Sequence, residues 1–101
     1  MDLNKSIRMT VDSGKVFLGT DKALKAALNG SAKLIIVSRN CPAQKKQDIE
    51  YFSRSSKVPV LQYEGTSNEL GTVCGKPFPI SAISVLEPGN SDILEAVQQQ
   101  Q

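Results

Sequence analysis

Apolar residues along the chain alternate between helical spacing and short unbroken runs. In the segment 20–29 they follow the i, i+1, i+4, i+5 spacing of an amphipathic helix, at Ala23, Leu24, Ala27 and Leu28. The segment 33–38 is apolar at four successive positions, which predicts a strand covered on both faces. This alternation of two patterns is typical of an α/β protein.

Capping residues, glycines and prolines set the boundaries of nine predicted elements. The predicted strands cover residues 15–18, 33–38, 58–63 and 82–86, and Pro59 favours an edge position for the third strand. Predicted helices precede, separate and follow the strands, at residues 2–13, 20–29, 42–56, 66–74 and 91–97. Thr20 is the predicted N-cap of the second helix, and Thr66 with Glu69 forms a capping box for the fourth.

The predicted fold is therefore a three-layer α/β/α sandwich with a four-stranded sheet. Its elements follow the order α-β-α-β-α-β-α-β-α, in which helices cover both faces of the sheet. A chain of 101 residues, 40% hydrophobic and 22% charged, suits one globular domain over residues 1–101.

The composition excludes several classes of protein. The longest apolar run has four residues, whereas a membrane span needs about 20, and the N-terminus lacks the pattern of a secretory signal. The chain has no histidine, which excludes Ser-His-Asp and Cys-His nucleophiles and His-ligated metal sites. Phosphate-binding glycine motifs and the nucleophile elbow do not occur either. We therefore expect no enzyme, no metal and no cofactor.

Cys41 and Cys74 form no metal-binding or redox motif. One disulfide between them is arithmetically possible, but a reduced pair is expected in a chain without an export signal. Cys41 follows Arg39 at the predicted start of a helix, where a thiol pKa can be lowered. Because no histidine is available as a base, we expect Cys41 to be a small residue near a helix cap.

The formal net charge of +2 is unevenly distributed. Residues 1–57 hold 11 Lys and Arg against 5 Asp and Glu, whereas residues 58–101 hold one lysine and 5 acidic residues. This asymmetry has two interpretations: uneven but solvated surface charge, or a face that binds an anionic partner.

Three predicted loops carry groups that suit RNA. Helices start directly after strands near Thr20 and Pro42, where free N–H groups favour phosphate oxygens. Asn40 can donate and accept on a base edge, and Phe78, between two prolines, can stack on an unpaired base. Structural interpretations stay open, with Asn40 as a turn residue and Phe78 as a plug at one end of the sandwich.

The three loops can meet in one arrangement of the strands. Two loops follow the first and second strands, whereas the Phe78 loop precedes the fourth. They share one end of the sheet only if the fourth strand is antiparallel to the first two, so we predict a mixed sheet.

Stretches covering nearly the whole chain carry a family pattern: SGK (13–15) with LG (18–19), AKLIIVSRN (32–40), DIEYF (48–52), NELGT (68–72), GKPF (75–78) and LEPGNSDIL (86–94). Together they resemble the archaeal and eukaryotic large-subunit ribosomal protein L30e family, a relative of the kink-turn RNA binders typified by L7Ae. The short N-terminal region is similar to archaeal members more than to eukaryotic ones.

The resemblance implies a structural constituent of the large ribosomal subunit that binds a kink-turn in rRNA, a sharply bent RNA helix–internal loop–helix with sheared G·A pairs. The family's RNA-facing residues map here onto Gly19, Thr20, Asp21 and Lys22, then Arg39, Asn40 and Lys45, then Lys76, Phe78, Pro79 and Ile80. In this family pattern Gly19 allows close approach of RNA, Asn40 binds a guanine edge, and the lysines and arginine hold phosphates. Phe78 and Ile80 pack on an extruded or unpaired base.

Asp21 departs from the family pattern, in which this position tends to carry Asn or a basic residue. An ionised carboxylate accepts hydrogen bonds but repels phosphate, so Asp21 either binds a base or stabilises the start of its helix.

Two other RNA functions stay open, a kink-turn adaptor of a small ribonucleoprotein and an autoregulatory mRNA binder. A small protein-interaction domain without RNA is the alternative of another class. We expect a cytoplasmic, ribosome-associated protein that is a monomer when free and has no membrane partner.

Overall fold

The structure is a computed structural model, and it describes residues 3–95. The elements follow the predicted order: α1 (Leu3–Ser13), β1 (Lys15–Leu18), α2 (Thr20–Asn29), β2 (Leu34–Val37), α3 (Ala43–Ser56), β3 (Val60–Gln62), α4 (Ser67–Val73) and β4 (Ala82–Glu87). Residues 93–95 are helical and begin the last predicted helix. The predicted continuation of that helix through Val97, and the predicted cap at Asp2, lie outside the described residues.

The four strands form one mixed sheet in the order β1-β4-β2-β3. β4 is antiparallel to both β1 and β2, whereas β2 and β3 are parallel. The first three strands therefore run in one direction and β4 in the other, so the predicted mixed sheet is confirmed. β3 is an edge strand, which agrees with the proline at position 59.

Helices cover both faces of the sheet because successive residues of a strand point to opposite sides. Leu34 and Ile36 belong to a core cluster that β2 and β4 form with α1 and α4. Ile35 and Val37 belong to a second cluster, formed with α2 and α3. All four side chains are at most 1% exposed. The predicted three-layer α/β/α sandwich is confirmed.

Local details differ from the predictions. Thr20 is the first residue of α2, and the N-cap position belongs to Gly19, whose φ of 121° turns the chain out of β1. Pro42 is likewise at the N-cap position of α3 and not in its first turn. Leu28 is 51% exposed, and the buried face of α2 consists of alanines instead: Ala23, Ala26 and Ala27. Strand ends differ from the predicted ends by at most two residues.

Candidate nucleic-acid interface

Three segments meet at the end of the sheet where β1 and β2 finish and β4 begins. They are called here the first loop (18–22), the second loop (38–42) and the third loop (75–81). Backbone hydrogen bonds hold the first two against the start of β4. The Gly19 N–H donates to the carbonyl of Ala82 at 2.8 Å, and the Ser38 N–H donates to that of Ser81 at 2.9 Å. The loops are therefore neighbours, as the antiparallel direction of β4 requires.

A groove of about 240 Å³ opens between the three loops. Its lining comes from residues 18–20 of the first loop, Pro42 of the second and residues 78–81 of the third. Phe78 is 50% exposed, which is not the burial expected of a plug at the end of a sandwich. Part of its ring surface is available to stack on a planar group.

Ile80 differs from Phe78 although both line the groove. Its side chain is 2% exposed and belongs to the core cluster under α1 and α4. Ile80 therefore forms the apolar bottom of the groove and offers little surface of its own to a ligand. Its neighbour Pro79 is exposed at the rim.

Gly19 is required by the backbone and leaves space on the outside. Its φ of 121° lies in a region that L side chains rarely adopt. Apart from its two chain neighbours, no part of the described chain lies within 4 Å of a Cβ placed there. The glycine is therefore not a response to crowding inside the protein, and the open space beside it is accessible to a ligand backbone.

Two helix N-termini flank the groove without side-chain caps. Gly19 precedes α2 and Pro42 precedes α3, and neither provides a capping hydrogen bond from a side chain. The first N–H groups of a helix carry partial positive charge and attract anions when the protein does not cap them. Thr20 and Pro42, one at each of these starts, both line the groove, so an anion at its rim lies near two helix dipoles.

Asn40 is exposed, but its side chain is oriented by the protein. Its Oδ1 accepts a hydrogen bond from the Ser67 N–H at 2.7 Å and one from the Ser38 hydroxyl at 3.2 Å. Because a backbone N–H can only donate, the carbonyl oxygen of the amide is fixed toward Ser67. This leaves the Nδ2 group, with its two donors, on the other side of a fixed amide. Asn40 also has no positive φ, so it is not needed as a left-handed turn residue.

Helix α4 supports both the second and the third loop through its first residue. The Ser67 N–H holds Asn40, and the Ser67 carbonyl accepts from the Ile80 N–H at 3.0 Å. One turn later, a Cβ on Gly71 would overlap the carbonyl oxygen of Phe78, so a glycine is needed for this close packing. The Thr66 hydroxyl caps the helix, accepting from the Glu69 N–H at 3.3 Å.

Residues 68–71 therefore support the helix and the third loop, whereas the contacts of Ser67 were missed in the sequence. The capping box marks where α4 begins and therefore identifies Ser67 as its first residue. Nothing in the sequence pattern indicates that its backbone contacts Asn40, 27 positions away.

Asp21 forms an ion pair with Lys45 across the two helix starts. Asp21 lies in the first turn of α2 and Lys45 near the start of α3, and their Oδ1 and Nζ atoms are 2.8 Å apart. The hydrogen bond and the charge of Lys45 lower the pKa of the Asp21 carboxyl, and the same contacts raise the pKa of Lys45. This pair connects two predicted site residues that sequence reasoning treated separately.

Three further predicted cations, Lys22, Arg39 and Lys76, are exposed around the loops. The Nζ atom of Lys22 lies 5.0 Å from the centre of the Phe17 ring, a cation–π distance. The basic charge of residues 1–57 is not all at this end of the molecule. Three lysines lie at or before the start of parallel strands, at the opposite end of the sheet: Lys15, Lys33 and Lys57.

The two cysteines were the other candidates for chemistry in the sequence. Cys41 and Cys74 are buried free thiols; burial raises the pKa of Cys41 and raises that of Cys74 to about 11. A lowered pKa for the Cys41 thiol is therefore wrong, because desolvation raises this pKa by more than the nearby lysines lower it. Within residues 3–95, no group of three or more acidic or cysteine side chains could hold a metal ion. No helix in this range is long and apolar enough to cross a membrane.

Taken together, the fold and the loops define an α/β/α domain with a small, partly apolar groove beside uncapped helix N-termini and cations. Comparison with known proteins makes this more specific. A family model described as "Ribosomal protein L7Ae/L30e/S12e/Gadd45 family" matches residues 1–95, and the chain belongs to that family.

Three similar proteins carry the same name. Large ribosomal subunit protein eL30 of Methanococcus vannielii is 52% identical over 94 residues, covering 93% of this chain and 90% of that protein. The protein of the same name from Methanocaldococcus jannaschii is 45% identical over 101 residues, covering 100% and 92%. The one from Methanothermobacter thermautotrophicus is 45% identical, covering 96% and 99%. The resemblance to L30e proteins is confirmed, and these relatives are named as ribosomal proteins and not as enzymes.

A solved structure shares the fold. It is described as "The structure of a protein with unknown function from Bacillus halodurans C". It superposes with a TM-score of 0.81 over 97% of each chain at 22% sequence identity. At that identity the likeness concerns the fold alone.

Proposed function

We propose that this protein is a structural constituent of the large ribosomal subunit that binds a kink-turn in rRNA through its three loops. The names of relatives up to 52% identical over nearly the whole chain support the ribosomal assignment. They also support a cytoplasmic, ribosome-associated location. We propose further that the chain acts as one RNA-binding domain and is a monomer when free.

The RNA-binding mode rests on the fixed amide of Asn40, in the second loop, and on the partly apolar groove that the three loops form. The groove, at about 240 Å³, is smaller than the pockets of about 300–1,000 Å³ that hold drug-sized molecules. It suits a single extruded nucleobase, which would stack on Phe78 above the apolar bottom of the groove at Ile80. Asn40 would present its Nδ2 donors to the acceptors of a guanine edge, since its oxygen is bound to Ser67.

Phosphates of the bent strand would lie at the rim. The uncapped starts of α2 and α3 favour anions, and Lys22, Arg39 and Lys76 add exposed positive charge. Gly19 has open space in place of a side chain, so the RNA backbone can approach the main chain there. A kinked RNA brings an unpaired base and close phosphates together, which a straight duplex does not.

The test exploits the two different ends of the Asn40 amide. Asn40→Asp keeps an oxygen that accepts from the Ser67 N–H, and its charge suits the start of α4. It removes the Nδ2 donors, so binding of a kink-turn RNA should weaken by about 1–3 kcal/mol while the free energy of unfolding is kept. Asn40→Ala loses both ends and should weaken binding and stability together. Gln47→Glu, exposed on α3, is the control for added negative charge.

Affinity should be measured for a kink-turn RNA and for a plain duplex of equal length, by fluorescence anisotropy at several salt concentrations. Wild-type protein should prefer the kink-turn and lose affinity linearly on a log–log salt plot. Equal affinity for both RNAs would rule out kink-turn recognition, and a flat salt response would favour the protein-interaction alternative. Co-sedimentation of tagged protein with the large subunit tests the ribosomal assignment separately.

A further inference from the structure

The Asp21–Lys45 ion pair lies between the two helix N-termini that flank the groove. The two residues are 24 positions apart in the chain, yet their charged atoms are 2.8 Å apart. The side chains are 86% and 47% exposed, so neither charge needs a partner to offset burial. Exposed ion pairs contribute little to stability. The ion pair itself is therefore a weak reason for a carboxylate at this rim.

The position of the carboxylate gives it two electrostatic effects. In the first turn of α2 it occupies the place where the helix dipole favours an anion. By its contact with Lys45 it also neutralises a cation of the same rim. Both effects reduce the attraction of this surface for phosphate.

We propose that Asp21 is a specificity-determining residue. By neutralising Lys45 and the positive end of α2, it weakens phosphate binding at this rim. It thereby disfavours plain duplexes relative to RNA that places a nucleobase in the groove. The inference rests on the proposed function, because it concerns the same interface.

The selectivity follows from how the two kinds of RNA are held. A straight duplex offers a row of phosphates and no unpaired base, so its binding depends on the cations that it can reach. It is free to take whichever register uses them best. An RNA held by Phe78 and Asn40 is tied to one register by its base contacts, and these contacts add affinity that a plain duplex lacks. Removing the carboxylate therefore benefits the duplex more.

The decisive variant is Asp21→Asn, which keeps the size of the side chain and uncovers Lys45. Plain duplex should bind roughly three- to tenfold more tightly at low salt, since one more phosphate is neutralised. The slope of log affinity against log salt for the duplex should steepen by about 0.9. Kink-turn affinity should change by less than about threefold, so the preference for the kink-turn falls.

Two controls separate this effect from general charge. Glu87→Gln breaks the Lys33–Glu87 pair, which is 3.2 Å long and similarly exposed but lies at the opposite end of the sheet. It makes the same change in net charge and should leave the preference unaltered. In a Lys45→Gln background, Asp21→Asn should no longer steepen the salt slope, because no lysine is released there.

The outcomes distinguish this inference from the proposed function. A wild-type protein without preference for the kink-turn contradicts the proposed function and this inference with it. A wild-type preference that Asp21→Asn leaves unchanged overturns this inference alone. A large loss of kink-turn affinity in Asp21→Asn, with duplex binding unaltered, also overturns it and makes Asp21 a base-contacting residue.

Discussion

Replacing Gly71 with alanine tests whether α4 holds the third loop in place. In an exposed helix this change normally stabilises a protein by about 1 kcal/mol, because alanine has the higher helix propensity. Here the new Cβ would overlap the carbonyl oxygen of Phe78 and lie 3.1 Å from its carbonyl carbon and 3.4 Å from the Cα of Pro79. These are backbone atoms, so the overlap is relieved only if the third loop moves away from α4.

The two contributions have opposite signs, and the overlap should win. Overpacking of a close contact costs about 1–3 kcal/mol, against about 1 kcal/mol gained from propensity. Gly71→Ala should therefore lower the free energy of unfolding by up to about 2 kcal/mol. Because the displaced loop carries Phe78, affinity for kink-turn RNA should also fall about tenfold or more, which corresponds to about 1.4 kcal/mol.

Urea unfolding and anisotropy with a labelled kink-turn RNA measure the two effects on one preparation. Thr72→Ala is the matched control, since it changes the next residue of the same helix on its exposed side. It should leave RNA affinity unaltered. A Gly71→Ala protein that is more stable than wild type and binds RNA equally well would refute the supporting function of α4.

Two further substitutions test the groove and the core. Phe78→Ala should weaken kink-turn binding by about 1–3 kcal/mol through lost stacking. It should change stability in urea little, because the ring is half exposed. Tyr51→Ala is the control: this aromatic residue of α3 is 64% exposed, does not line the groove, and should affect neither RNA affinity nor stability. Equal losses of RNA affinity in the two variants would contradict stacking on Phe78. Ser53→Ala should raise the free energy of unfolding by about 1 kcal/mol, because the buried Ser53 hydroxyl has no hydrogen-bond partner among residues 3–95 and alanine is the better helix former. Urea denaturation measures this change, and a loss of stability would mean that the Ser53 hydroxyl forms a hydrogen bond in the folded protein.

The layers and strand directions could be predicted from the sequence because they depend on short-range patterns. Four successive apolar residues in 34–37 required two covered faces, and both faces are covered. The assumption that the three loops meet at one end of the sheet then predicted that β4 is antiparallel to β1 and β2, as observed.

Contacts between distant side chains could not be predicted in this way. The orientation of the Asn40 amide depends on the backbone of Ser67, and the charge of Lys45 depends on Asp21. Both contacts exist only after the sheet has brought separate helix starts together. The predicted N-cap of α2 was wrong for a local reason. Thr20 has the better capping side chain, but the N-cap position requires a positive φ, which suits Gly19.

The distribution of charge in the folded protein favours recognition by shape over recognition by charge. Lys15, Lys33 and Lys57 lie at the far end of the sheet, so the basic excess of residues 1–57 overstates what the loops can offer. Of the four cations predicted at the loops, Lys45 is neutralised by Asp21. The loops therefore offer fewer cations to a polyanion than the sequence suggests. Preference for one RNA would then come from the groove and the fixed amide, and these contacts require an RNA that exposes an unpaired base.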